Sequence, residues 1–200
     1  PPIYKRLNLH DHIMSRSEVY IGGVRQIIED DMFVFASTGK IESKSIKYTP
    51  GFIKIFDEIL VNAIDHSVKD KSVSYIKISI DKEKGFISVH NDGSGIAIEK
   101  SEEYGVYNPE LIFGNLLTSS NYDDTQERIT GGLNGLGSKL TNIFSKKFIV
   151  ETCDGKLEYK QIFEDNMKSK SEPTLKPGKK PFTKITFWPD FQKLDMNCID

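Results

Sequence analysis

Along the chain, apolar positions gather into helical and strand-like stretches divided by glycine and proline. The clearest stretch is Phe52–Val68, which follows Pro50-Gly51 and is apolar on most sides, predicting a buried helix. Ser74–Asp81 and Phe86–His90 alternate apolar and polar side chains on either side of Asp81–Gly85, as a β-hairpin with one buried face would. A glycine-rich turn follows at Asn91–Gly95. Short helices are expected at Pro109–Leu117 and Ser138–Phe144, and strands at Lys147–Cys153, Leu157–Phe163 and Lys184–Trp188. Residues 1–24 read as a polar arm, with a helical stretch at Asp11–Arg16 and a tight turn at Gly22-Gly23. Residues 25–200 read as the domain proper. The basic, proline-bearing Lys168–Lys180 reads as a solvated loop. The expected class is α+β: a two-layer α/β sandwich with helices on one face of a mixed sheet. A long polar loop before Gly137 is left over, and loops beyond about 15 residues in a compact domain are usually functional or disordered.

Composition narrows what such a domain does. Its 200 residues suit one domain, and 38% hydrophobic with 28% charged residues is ordinary for a soluble globular chain. A net charge of −2 argues against a main surface built to grip nucleic-acid phosphates. Cys153 and Cys198 have neither metal-ligand spacing nor a disulfide framework, and read as reduced thiols inside a cell. No apolar run reaches the roughly 18 residues of a membrane span. The opening Pro1-Pro2 suggests a piece excised from a longer protein.

Three constellations carry chemistry. On the Phe52–Val68 helix, Glu58, Asn62 and Asp65 fall within an arc of roughly 60° amid apolar neighbours. A carboxylate and an amide one turn apart suit magnesium chemistry: Asn62 offers a neutral oxygen and Glu58 takes a proton from an attacking water. The same stripe also suits a charged face turned to solvent. The second constellation is Asn91-Asp-Gly-Ser-Gly95, whose alternate glycines let backbone approach a ligand closely. Such turns are common, and a calcium loop is excluded because its acid positions would fall on Ser88 and His90. The third is Gly131-Gly-Leu-Asn-Gly-Leu-Gly-Ser-Lys-Leu140, four glycines in seven residues running into a helix. Its free N–H groups and Lys139 would hold a phosphate, although a flexible hinge fits the same text. It is neither a Walker A loop nor a dinucleotide fingerprint.

In this order the three resemble the GHKL ATPases, which include gyrase B, topoisomerase II, Hsp90, MutL and sensor histidine kinases. KIFDEILVNA (Lys54–Ala63), LIFGNLLTSSNYDD (Leu111–Asp124), GGLNGLGSKLTNIFS (Gly131–Ser145) and ITFWPD (Ile185–Asp190) are similar to eukaryotic and viral topoisomerase II. The likeness runs from about Tyr4 to Asp190. It implies a Bergerat-type fold with a long ATP lid, and ATP and Mg²⁺ as ligands. By resemblance, Glu58 is the general base and Asn62 the Mg²⁺ ligand. Asn91 reads the adenine amino group, Gly95 and Ile96 floor the adenine pocket, and Thr186 contributes through a water. Ser119, Ser120 and Asn121 reach ribose and phosphates. Gly132, Asn134, Gly135, Leu136, Gly137, Ser138 and Lys139 wrap the triphosphate.

Leu133 and Leu136 stand where cellular eukaryotic members usually carry Arg and Tyr, and His66 replaces the usual Asn. The resemblance further implies ATP-gated homodimerisation through the arm, DNA bound by the full-length enzyme, and no membrane association. It places the protein in the nucleus of a cellular eukaryote, or in host cytoplasm or virion if viral. Because the family's hydrolysis also uses a lysine from the next domain, slow or absent turnover is expected of these 200 residues. The alternatives are another clamp of the family, MutL- or Hsp90-like, and a nucleotide-gated dimerisation module without hydrolysis. A phosphotransferase is disfavoured, since His10, His12, His66 and His90 lack an acceptor context.

Overall fold

A computed structural model describes residues 7–116 and 136–199. Helices α1 (Leu9–Ser15) and α2 (Ser17–Ile21) lead into strands β1 (Ile27–Phe35) and β2 (Ile41–Tyr48), then into the 20-residue helix α3 (Pro50–Lys69). Next come β3 (Ile76–Asp81), β4 (Phe86–Asp92), α4 (Asn108–Gly114) and α5 (Gly137–Ile143). The chain ends in β5 (Ser145–Cys153), β6 (Leu157–Glu164), β7 (Ser169–Lys170), β8 (Thr174–Pro177) and β9 (Phe182–Pro189). Seven strands form one sheet in the order β3-β4-β9-β5-β6-β7, with β8 also on β6. The two-layer α+β class holds. The expectation of a mixed sheet does not, because every pairing among the described residues is antiparallel. The sheet takes this form because β9 returns between β4 and β5 and runs against both.

Register decides what faces what. Ile87, Val89, Phe148, Val150, Ile185 and Phe187 are buried on the inner face of the sheet. They share one core with Ile55, Ile59 and Ala63 of α3 and Leu140 and Ile143 of α5. The four-residue spacing along α3 puts its three on a single face, and each fully buried Ile or Phe contributes about 1.5–3 kcal/mol. Pro50 sits in the first turn of α3, where its missing N–H costs nothing. The polar stripe of α3 is therefore held at the edge of the core.

The first helices dock on this body. Ile13 and Ile21 are fully buried, Lys193 Nζ donates to Met14 O at 2.8 Å, and Gly51 N donates to Gly23 O at 2.8 Å. Gly51 is required at this junction, since a Cβ there would lie 2.9 Å from Ile21 Cδ1.

The sequence reading assigned no element to the stretch that forms β1 and β2. They pair as a separate two-stranded sheet, bulged near Asp31, which sits at φ 58°. Ile28, Phe33, Phe35 and Ile41 project from one face of this hairpin and are largely exposed. Lys168–Lys180, expected as a loop, instead contributes the short exposed edge strands β7 and β8.

Candidate active site

One end of the candidate site is built by α3 and α5. Glu58 is partly buried and ion-paired with Lys54, one turn earlier on α3. Asn62, one turn later, is half-buried, and its amide has no hydrogen-bond partner among the described residues. Helix α5 is locked beside them by the buried bond from Thr141 Oγ1 to Ile55 O, at 2.7 Å. Its first residue, Gly137, lies so close to Glu58 that a Cβ there would overlap the Oε2 oxygen. The glycine is therefore needed for close approach to the carboxylate. Ser138 is buried and donates to Ile112 O at 3.2 Å, and Asn142 Nδ2 donates to Phe113 O at 2.9 Å. Those bonds tie α5 to α4. Lys139 is buried, and burial pushes its ammonium below the usual lysine range. It has no anionic partner among the described residues, so the first turn of α5 holds a partly desolvated positive charge. Leu136 is half-buried at the helix start.

The other end is built by the inner face of the sheet. Asn91 is buried, and its Nδ2 donates to Asp92 O at 2.7 Å, which leaves Oδ1 free to accept. Directly across from Asn91 in the β4–β9 register stands Thr183, which in turn is paired with Thr152 of β5. Thr152 Oγ1 lies 3.1 Å from Thr183 Oγ1 and accepts from Ile96 N at 3.1 Å. These three polar side chains close the inner face where its apolar rows end. Gly95 sits at φ 72°, with its α-carbon hard against the Cys153 carbonyl. Any side chain at Gly95 would strike that backbone.

Thr186, expected to reach the adenine pocket through a water, is not on the sheet face that carries Asn91. It lies opposite Ser88 and Ile149, three residues from Thr183, and so points to the outer face of the sheet, away from Asn91. The expected apolar setting of Glu58 also changes, since Lys54 pairs with it. Three participants escaped the sequence reading: Lys54, Thr152 and Thr183. Lys54 was legible as an i, i+4 partner of Glu58, whereas the threonines become visible only once the register is fixed. Leu133 and six of the expected ligand residues, Ser119, Ser120, Asn121, Gly132, Asn134 and Gly135, lie outside the described residues. Among the described residues no cluster of three His, Cys, Asp or Glu is arranged to hold a metal, and no helix is long and apolar enough to cross a membrane.

Comparison with known proteins agrees with this geometry. Residues 49–193 match the family described as histidine kinase-, DNA gyrase B-, and HSP90-like ATPase. A probable DNA topoisomerase 2 of Dictyostelium discoideum is 49% identical over 99% of this chain and 13% of its own length. DNA topoisomerase 2 of Candida albicans is 50% identical over 98% of this chain and 14% of its own length. The chain thus spans only a small part of these relatives. The ATPase region of Saccharomyces cerevisiae topoisomerase II superposes with a TM-score of 0.89 at 42% identity, covering 98% of this chain and 53% of that one. The 43K ATPase domain of Thermus thermophilus gyrase B, at 22% identity and a TM-score of 0.67, shares the fold. With the Asn91–Gly95 turn, the carboxylate–amide helix and the glycine-led helix all on one framework, the chain belongs to the histidine kinase-, DNA gyrase B- and HSP90-like ATPase family.

Proposed function

We propose that this chain binds and hydrolyses ATP as the nucleotide-operated part of a type II DNA topoisomerase. The observation that carries the reading is the approach of Gly137 to Glu58, which joins the glycine stretch to the carboxylate of α3. Glu58 acts as general base: it takes a proton from water as the water oxygen attacks the γ-phosphorus, and the bond to the β-phosphate oxygen breaks. Lys54 orients the carboxylate. The unpartnered amide of Asn62 fits Mg²⁺, which commonly takes one or two protein oxygens and completes its shell with phosphates and water. When bound, the ion would neutralise phosphate charge; no purely protein cage is needed.

Asn91 Oδ1 accepts from the adenine amino group, with Thr183 beside it in place of Thr186, and with Gly95 and Ile96 beneath. Ser119, Ser120 and Asn121 serve ribose and phosphates. Gly132, Asn134, Gly135, Leu136, Gly137, Ser138 and Lys139 enclose the triphosphate, and the buried cation of Lys139 suits an oxyanion there. In the whole protein, ATP closes a homodimer through the N-terminal segment around DNA, and loss of γ-phosphate contacts reopens it. Such an enzyme works in the nucleus of a cellular eukaryote, or in host cytoplasm or virion if viral.

Replacing Glu58 with alanine tests this, in a form of the protein that hydrolyses ATP. Turnover should fall at least about 100-fold while ATP affinity stays within about twofold, because the base acts on water. Normal hydrolysis by Glu58→Ala would refute the assignment.

A further inference from the structure

Beside the site lies a pair of carboxylates to which the hydrolytic scheme gives no role. Asp70 follows the last residue of α3. Its Oδ1 accepts from Ser72 N at 2.9 Å and Ser72 Oγ at 2.6 Å, and its Oδ2 accepts from Ser94 N at 2.7 Å. Ser94 belongs to the Asn91–Gly95 turn. Asp92 of that same turn reaches back the other way, accepting from Ser74 N at 2.8 Å, from Ser74 Oγ, and from Tyr75 N at 3.2 Å at the entry to β3. Each segment gives the other one carboxylate and takes it with backbone N–H groups. Between the two clasps sits Gly93, at φ 106°, where a Cβ would lie 2.9 Å from Asp70 Oδ2 and 2.5 Å from Val73 Cγ2. His66, one turn past Asn62, closes the far side, its Nε2 3.5 Å from Asp70 Oδ2.

The consequence falls on Asn91. Its amide is oriented by the carbonyl of Asp92, and that residue is pinned by Ser74. With glycine at both 93 and 95 in the left-handed region, the turn has little intrinsic stiffness. The clasps supply it. Hydrogen bonds from Ser72 and Ser94 also hold the Asp70 carboxyl well below the usual carboxylate range.

We propose that Asp70 is a positioning residue for nucleotide selection: through Ser94 it sets the turn that presents Asn91 to the base, and so governs affinity for the base end of the ligand without acting on the phosphates. This rests on the reading of Asn91 as the base reader. The experiment compares three probes with the full chain and Mg²⁺ by calorimetry: the non-hydrolysable adenosine imidotriphosphate, its guanosine counterpart, and inorganic tripolyphosphate.

Asp70→Ala should weaken the adenosine probe about tenfold and erode the preference over guanosine by a similar factor, while tripolyphosphate affinity changes less than about twofold. Asp70→Asn keeps an acceptor for Ser94 N–H and should restore most of the loss. If Asp70→Ala does not fold, Asp70→Asn carries the test, with about a threefold loss for adenosine and none for tripolyphosphate. Unchanged adenosine affinity, or equal loss for adenosine and tripolyphosphate in both variants, would overturn the proposal. If the unmodified chain itself binds adenosine imidotriphosphate no better than tripolyphosphate, the base-reading role of Asn91 fails first, and the proposal falls with it.

Discussion

Gly137 shows how narrowly single residues are constrained at this site. Its neighbour Glu58 leaves no room for a methyl group, so Gly137→Ala must push either the helix start or the carboxylate aside. Misplacing a general base by about 1 Å costs on the order of 100-fold in rate. In a form of the protein that hydrolyses ATP, steady-state turnover of Gly137→Ala should therefore drop by about that factor with the protein still folded; unchanged turnover would detach the glycine from the proposed base. Thr183 and Thr186 make a second, paired test. Thr183→Val removes a hydroxyl from the row shared with Asn91 and Thr152, and should weaken ATP binding about three- to tenfold. Thr186→Val, on the outer face, should leave ATP affinity within about twofold. The opposite pattern would restore the sequence-based choice. The two threonines differ for a physical reason: side chains alternate along a strand, so an odd offset moves a residue to the opposite face. Glu58, Asn62 and Asn91 were legible because helix spacing and turn chemistry are local. Thr183 depends on a pairing between strands 92 positions apart in sequence, which no local pattern encodes.

At the scale of elements, α3 was readable because Pro50-Gly51 opens a long apolar helix whose polar stripe is narrow. Hairpin β1–β2 was not, because Glu29-Asp30-Asp31 interrupts its alternation at the bulge and four of its large apolar side chains, Ile28, Phe33, Phe35 and Ile41, face outward. The order of the sheet was hidden too, since the place of β9 is fixed by distant partners. Two aspartates bind elements together in ways that make the fold acid-sensitive. Asp154 accepts from Leu157 N, Lys156 N and Ile98 N, tying the β5–β6 connection to the segment before α4, and these bonds hold its carboxyl low. Burial works against ionisation of Asp190, but hydrogen bonds from Asn166 and Lys146 outweigh it, and its carboxyl also lies below the usual range. A carboxyl depressed by folding stabilises the native state above its unfolded value of about 3.9, and that contribution is lost as pH falls through the folded value. Urea midpoints should thus fall steeply below about pH 4, beyond any smaller decline at higher pH from His90, whose burial disfavours its protonated form. In Asp154→Asn the fall should be shallower, because one of the groups that must take up a proton is gone. A wild-type midpoint that holds steady to pH 3 would contradict this account.

At the scale of the whole molecule, one core holds two ends of a ligand site together. Sheet register sets the Asn91 end of the candidate site, and the α3–α5 contact sets the Glu58 end. Both are rigid parts of the body, and α1 and α2 are docked to it through Ile13 and Ile21. The larger relatives place such a body in a longer enzyme, of which it spans 13–14%. Under the proposed function, dimer closure and DNA passage would belong to the whole protein and not to this body alone. What the body itself must do is bring Glu58, Asn62 and the glycine stretch onto one triphosphate. The most direct test is a crystal structure with a non-hydrolysable ATP analogue and magnesium. The γ-phosphate should lie between Glu58 and Gly137, with Asn62 on the ion and the adenine amino group on Asn91 Oδ1. A nucleotide bound away from those residues, or a triphosphate that does not touch α3, would contradict the account.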